Sequence, residues 1–115
     1  MDNIKDDSYY VSAIVENIKF ILQHTSGITL EKLKEDEVLL DSVMFRFIQI
    51  AENARLLSED FIKKTNSLPW HQISGIRNRI VHAYNIIKVD IIYETITNDL
   101  GPLKSELEKY LGITH

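Results

Sequence analysis

The sequence predicts an all-α fold, an up-and-down four-helix bundle with a short extra helix or turn after the first helix. Three observations lead there. Apolar residues recur at three-and-four spacing in four separate segments, the period of a helix that buries one stripe. No stretch alternates apolar and polar residues for long enough to argue a strand. The connections between the four segments are short, which makes sequential helices antiparallel neighbours. With 115 residues, 44% of them hydrophobic and 26% charged, the composition is that of an ordinary soluble domain rather than a disordered chain. That length predicts a single domain, residues 1–115.

The first helix is expected from about Asp6 to His24, where Val11, Ile14, Val15, Ile18, Ile21 and Leu22 form one buried stripe. Asp6, Asp7 and Ser8 supply an acidic, cap-forming start. "TSG" ends it, with Gly27 free to take the left-handed conformation that closes a helix. A half-helical connector, "ITLEKLKEDE", follows. The second helix is read as one element from about Glu37 to Lys64. Its residues Leu40, Val43, Phe47, Ile50, Ala54, Leu57 and Phe61 make a coiled-coil-like seam, with Met44, Ile48 and Ala51 as a second stripe beside it. An arc that wide suits two packing partners: the core, and a further helix or subunit.

Pro69 cannot continue the second helix but fits the first turn of the next. The third helix therefore spans roughly Trp70 to Tyr84, with Ile73, Ile76, Ile80 and Tyr84 facing inward and Trp70 as an apolar anchor. The fourth runs from about Val89 to Leu111 and buries Ile92, Ile96, Leu100, Leu103, Leu107 and Leu111. Gly101 and Pro102 interrupt it and predict a kink.

Composition narrows the function. With no cysteine there is neither a disulfide framework nor a thiolate metal site. The start, "MDNIKDDSYY", is acidic and polar where an export signal needs basic residues and then an apolar run. No apolar stretch approaches the roughly 20 residues that span a bilayer. A cytoplasmic protein without membrane contact is expected. The net charge of -4 has the wrong sign for wrapping nucleic acid non-specifically, so any RNA contact must come from a local basic patch.

The third helix supplies one. Arg77, Asn78, Arg79 and His82 crowd its second half, and Tyr84 follows. At about 100° per residue Arg77 and Tyr84 lie within roughly 20° of one another, whereas His82 is roughly 140° from Arg77. Asn78 and His82, four apart, share a face. Convergence of arginine and histidine then needs the arginine to reach round, the helix to end near Ala83, or a second copy of the helix across a two-fold interface. Two such helices face to face make a cleft suited to cleaving RNA without metal. A neutral histidine takes the proton of the ribose 2′-hydroxyl, a second acid protonates the leaving oxygen, and arginine holds the phosphate. Asn78 would orient His82 or contact the same phosphate, Arg79 either widens the basic patch or faces solvent, and Tyr84 offers a stacking face for a base.

"LPWHQISGIRNRIVHAY" resembles the HepT-like toxins of the HEPN superfamily, whose signature is arginine, a polar residue, three further residues, histidine, any residue and tyrosine. Arg77, Asn78, His82 and Tyr84 fill that pattern, and "DDSYYVSAIVENIKFI", "LLDSVMFRFIQIAENARLLSEDF" and "VDIIYETITNDLGPLKSELEKYL" are similar to the family's other helices. The resemblance implies one HEPN domain over residues 1–115, forming a homodimer with Arg77 and His82 in a cleft between subunits. It implies a metal-independent ribonuclease toxin with no cofactor of its own. It also implies a partner, a minimal nucleotidyltransferase antitoxin that uses ATP to adenylylate Tyr84. The competing expectation is a non-catalytic subunit that presents Tyr84 to such a nucleotidyltransferase. Two positions depart from the family: Lys88 stands where many relatives have an acidic residue, so the last helix is expected to start later, with Asp90 in its first turn, and Tyr93 stands in place of a tryptophan.

Glu52 matches an acidic position of relatives and is expected either to pair with Arg77 or Arg79 or to be solvated. His24 and His71 have no partner at metal-ligand spacing and are read as surface or packing residues. Arg46, Arg55, Lys63 and Lys64 are read as a solvated face.

Overall fold

The computed structural model describes residues 6–112. Half of the polar lead-in that argues against an export signal, residues 1–5, lies outside these residues. Every regular element among them is helical, with no strand, and none of the helices is long and apolar enough to cross a membrane.

Helix α1 spans Asp7–His24 and starts as its sequence predicts: the Asp6 carboxylate accepts the Tyr9 backbone N–H, and Asp7 sits in the positive first turn. Gly27, at φ 71°, closes the exit. The connector forms helix α2, Leu30–Glu35, capped by the Thr29 hydroxyl. Helix α3 then spans Glu37–Arg55.

Here the structure corrects the sequence reading. The long second helix is divided: α3 stops at Arg55, and a separate helix α4 occupies Glu59–Lys64. Ser58 makes the break. Its hydroxyl accepts the Phe61 N–H at 3.1 Å and donates to Asp7 Oδ2 at 2.7 Å, while its own N–H goes to Asp7 Oδ1 at 2.8 Å. With that N–H bonded to α1, the α3 hydrogen-bond ladder cannot pass through it, and a serine followed by Glu59 and Asp60 is a favourable new N-terminus. Leu57 and Phe61 stay buried across the break, which is why the seam reads as continuous.

Helix α5 spans Trp70–Ala83 after Pro69, and Trp70 packs against the core with its indole N–H on Thr65 Oγ1 at 3.0 Å. Ala83 leaves helical geometry at φ -146°, ψ 43°, and Tyr84–Ile86 follow as a 3-10 turn. That turn overturns one expectation. Tyr84 is not an inward position but half exposed, because the helical register that would have carried it inward ends one residue earlier. Helix α6 spans Val89–Thr95, with Lys88 before it and Asp90 in its first turn as expected. A π-helical segment, Ile96–Leu100, joins it to α7, Gly101–Tyr110. The predicted interruption at Gly101 and Pro102 thus takes the form of a widened turn: Pro102 lacks an N–H and its ring crowds the carbonyl four residues back, and the π geometry relieves both without ending the helix.

One core holds these elements together. Ile14, Ile18 and Ile21 of α1, Phe47 and Ile50 of α3, Ile73 of α5 and Leu103 and Leu107 of α7 are among its fully buried members. Helix α3 packs between α1 and α5, so one flank of α5 rests on α3.

Candidate functional site

The candidate residues sit on α5 and its C-terminal turn. Ile73, Ile76 and Ile80 fix the rotation of α5 by burying one stripe. With that face inward, Arg77 points along the flank shared with α3, and Glu52 of α3 meets it: Arg77 Nε and Nη2 both lie 3.1 Å from Glu52 Oε2. Arg77 Nη1 also donates to Asn78 Oδ1 at 3.1 Å. The open alternative for Glu52 resolves to a bridge, since its second oxygen accepts from Arg55 Nε at 3.2 Å and Nη2 at 3.0 Å. Its carboxyl is held below the usual range chiefly by the Arg55 hydrogen bond, then by the charges of Arg55 and Arg77. Arg55 is therefore no idle surface cation. Nor is Arg46, which lies 3.9 Å over the Phe20 ring and donates to Asn17. His24 stacks on the same Phe20, the packing role expected of it.

Tyr84 is tied to the same helix at its other end. Its hydroxyl donates to Asp41 Oδ1, and that bond, with some burial and the nearby charge of Asp41, raises the phenol above its ordinary value. Asp41 was not legible as a site residue. A signal existed, because positions 41 and 52 are eleven apart and so fall within roughly 20° on α3, the helix that meets Arg77. Pairing 77 with 52 and 84 with 41 sets the two helices antiparallel at this flank.

His82 stands apart from this network. It is exposed, and no hydrogen bond or ion pair reaches it among the described residues. Between Arg77 and His82 the surface arc of α5 holds Ser74, Asn78 and Val81, all exposed. Within the chain the guanidinium and the imidazole thus flank an open strip instead of meeting at a point. Arg79 lies further round still, roughly 200° from Arg77, on the side of α6. A cavity of about 270 Å³ adjoins Arg77, lined by Glu52 and Arg55 of α3, Ile62 of α4, and Trp70 and Ser74 of α5. Exposed apolar side chains lie in and beside the strip: Val81 within it on α5, and Val38 and Phe45 on the α3 face that carries Asp41 and Glu52.

Fold and site define a small all-helical protein that presents arginine and histidine, five residues apart, on the solvent side of one helix. The chain belongs to the ribonuclease HepT-like family, whose model matches residues 14–110. Among curated proteins it is similar to one from Caldanaerobacter subterraneus subsp. tengcongensis, provisionally named an RNase, 28% identical over 89% of this chain and 91% of the relative. A Methanocaldococcus jannaschii protein of the same provisional name is 28% identical over 93% of this chain and 88% of its own. A Thermococcus cleftensis protein, provisionally named ribonuclease HepT, is 27% identical over 87% and 91%. No solved structure matches the chain.

Proposed function

We propose that the protein is a metal-independent ribonuclease that acts as a homodimer, with Arg77 and His82 of both copies lining one cleft. The observation that carries this reading is the strip between them: two chemically matched side chains flank an exposed surface with Val38, Phe45 and Val81 in and beside it, so a second copy laid there completes the site and covers the apolar groups. In the reaction, one His82 accepts the proton of a ribose 2′-hydroxyl as that oxygen attacks the adjacent phosphorus. The bond from phosphorus to the 5′ oxygen breaks, and His82 of the second copy protonates the departing oxygen. Arg77, oriented by Glu52 and Asn78, stabilises the charge that gathers on the phosphoryl oxygens. The names of the family relatives support RNA as substrate.

Arg77→Ala and His82→Ala are each expected to reduce cleavage of a generic RNA at least about 100-fold, with helical content unchanged by circular dichroism. Cleavage that survives both changes would falsify the assignment. The reading includes control by a nucleotidyltransferase antitoxin. Tyr84, half exposed beside the strip, is its acceptor: the phenol gives its proton to the Asp41 carboxylate that accepts its hydrogen bond, its oxygen attacks the α-phosphorus of ATP, and pyrophosphate leaves. The added AMP brings negative charge to the cationic cleft and fills the space of the RNA phosphate. Incubation with the partner and ATP is expected to add the mass of at least one adenylyl group to the wild type and none to Tyr84→Phe, read by intact-mass spectrometry.

A further inference from the structure

Helix α5 carries two arginines two residues apart, and the fold sends them to opposite sides. Arg77 is engaged by Glu52 and Asn78. Arg79 is exposed and, unlike Arg46, Arg55 and Arg77, has no hydrogen-bond, ion-pair or ring partner among the described residues. It overhangs a groove between α5 and α6 made of two adjoining cavities, about 330 and about 270 Å³, which share Arg79 and Ile91. Gln72 bridges the two helices with a 2.7 Å hydrogen bond to Thr95.

The chemistry of this groove differs from that of the chain as a whole. Acidic residues outnumber basic ones, 17 to 13, yet no carboxylate lines either cavity. Arg79, Lys88 and His71 do. Lys88 also has no partner among the described residues, while Asp90, its acidic neighbour in sequence, is engaged by Lys34 at 3.6 Å. Apolar walls stand beside the cations, with Ile91 partly buried and Ile86 79% exposed. At the edge lies Gly75, where an added Cβ would meet nothing within 4 Å. Packing inside the protomer therefore does not require glycine in this helix interior, and its absence of side chain keeps the groove mouth open for close approach from outside.

Unpaired cations over apolar walls suit a single-stranded polyanion with flat faces: the guanidinium fork and the ammonium take phosphates, and the isoleucines support bases. Position also fits. His82 lies roughly 60° from Arg79 and about one turn along the helix, so nucleotides next to a phosphate held at His82 fall at the groove mouth. We propose that the α5–α6 groove is a binding track for single-stranded RNA flanking the cleavage site, with Arg79 and Lys88 on backbone phosphates. This rests on the ribonuclease reading above, of which it specifies the substrate's path.

The test is equilibrium binding of a fluorescein-labelled 2′-O-methyl oligouridylate, which lacks the attacking hydroxyl and stays whole, to the full-length protein at several salt concentrations. The double variant Arg79→Ala/Lys88→Ala is expected to bind about tenfold more weakly and to flatten the log–log salt slope by about 1.4, for two phosphates. Gly75→Leu is expected to weaken binding as well, with a melting temperature no lower than wild type. Unchanged affinity and slope in both variants, or no binding by the wild type, overturns the track. Retained RNA affinity with lost binding of a nucleotidyltransferase also overturns it and makes the groove a protein-docking surface. Cleavage assays separate the two ideas: groove-dependent binding by a wild type that does not cleave, or whose cleavage survives Arg77→Ala and His82→Ala, refutes the nuclease alone, and Arg77- and His82-dependent cleavage with groove-independent binding refutes the track alone.

Discussion

Asp41 and Glu52 tether Tyr84 and Arg77 to one face of α3, and the two carboxylates act in opposite electrostatic directions. Glu52 accepts from cations, which lowers its own pKa, so the tether to Arg77 contributes above the ordinary glutamate range and is lost only as pH falls through the lowered value. Asp41 accepts from a neutral phenol and raises that group's pKa, so the Tyr84 tether contributes below the ordinary tyrosine range and is lost as pH rises through the raised value. Both tethers hold at neutrality. Asp41→Asn is expected to move the phenol titration of Tyr84 back down toward its ordinary value, measured by ultraviolet absorbance difference against a Tyr84→Phe control. An unmoved titration would mean that Asp41 is not what holds the proton. At this scale the sequence spacing exposed Arg77, Asn78, His82 and Tyr84, because they are local to one helix. The carboxylate partners of Arg77 and Tyr84 come from α3, and tertiary pairing of that kind leaves no mark on α5 itself.

The boundary between α3 and α4 shows what helical periodicity hides. Leu57 and Phe61 continue the seam of α3 in phase, and burial alone cannot distinguish one long helix from two short ones that share a core. Ser58, Glu59 and Asp60 were the contrary signal, a cap and two acids that outweigh the phase once Asp7 binds the Ser58 N–H. Ser58→Ala removes a cap and a bond to α1. It is expected to destabilise the protein by about 1 kcal/mol, with an upper end near ~2 kcal/mol, in urea denaturation monitored by circular dichroism. Elsewhere the local rules were sufficient: the Asp6 cap, Gly27, and the start of α6 after Lys88 all depend on nearest neighbours, and the structure follows them.

For the molecule as a whole, the exposed strip on α3 and α5 is where the proposed dimer is tested. Phe45 is 54% exposed and touches no part of the proposed chemistry. Phe45→Glu puts charge into the proposed contact and is expected to convert a dimer to a monomer in sedimentation velocity while leaving the fold intact, with RNA cleavage falling in parallel. A monomeric variant that still cleaves would place the whole active site within one protomer. The all-helical class was legible because its period is written along the chain. The proposed pairing of copies rests instead on side chains that the fold leaves uncovered.

The hydrogen bonds between Asp7 and Ser58 reach further than their surface position suggests. Ser58 starts α4, and α4 supplies Ile62 to the cavity wall beside Arg77. The opening residue of the first helix thereby braces a wall of the arginine's chamber, and a phosphate lodged there would depend on an anchor some fifty positions upstream in the chain.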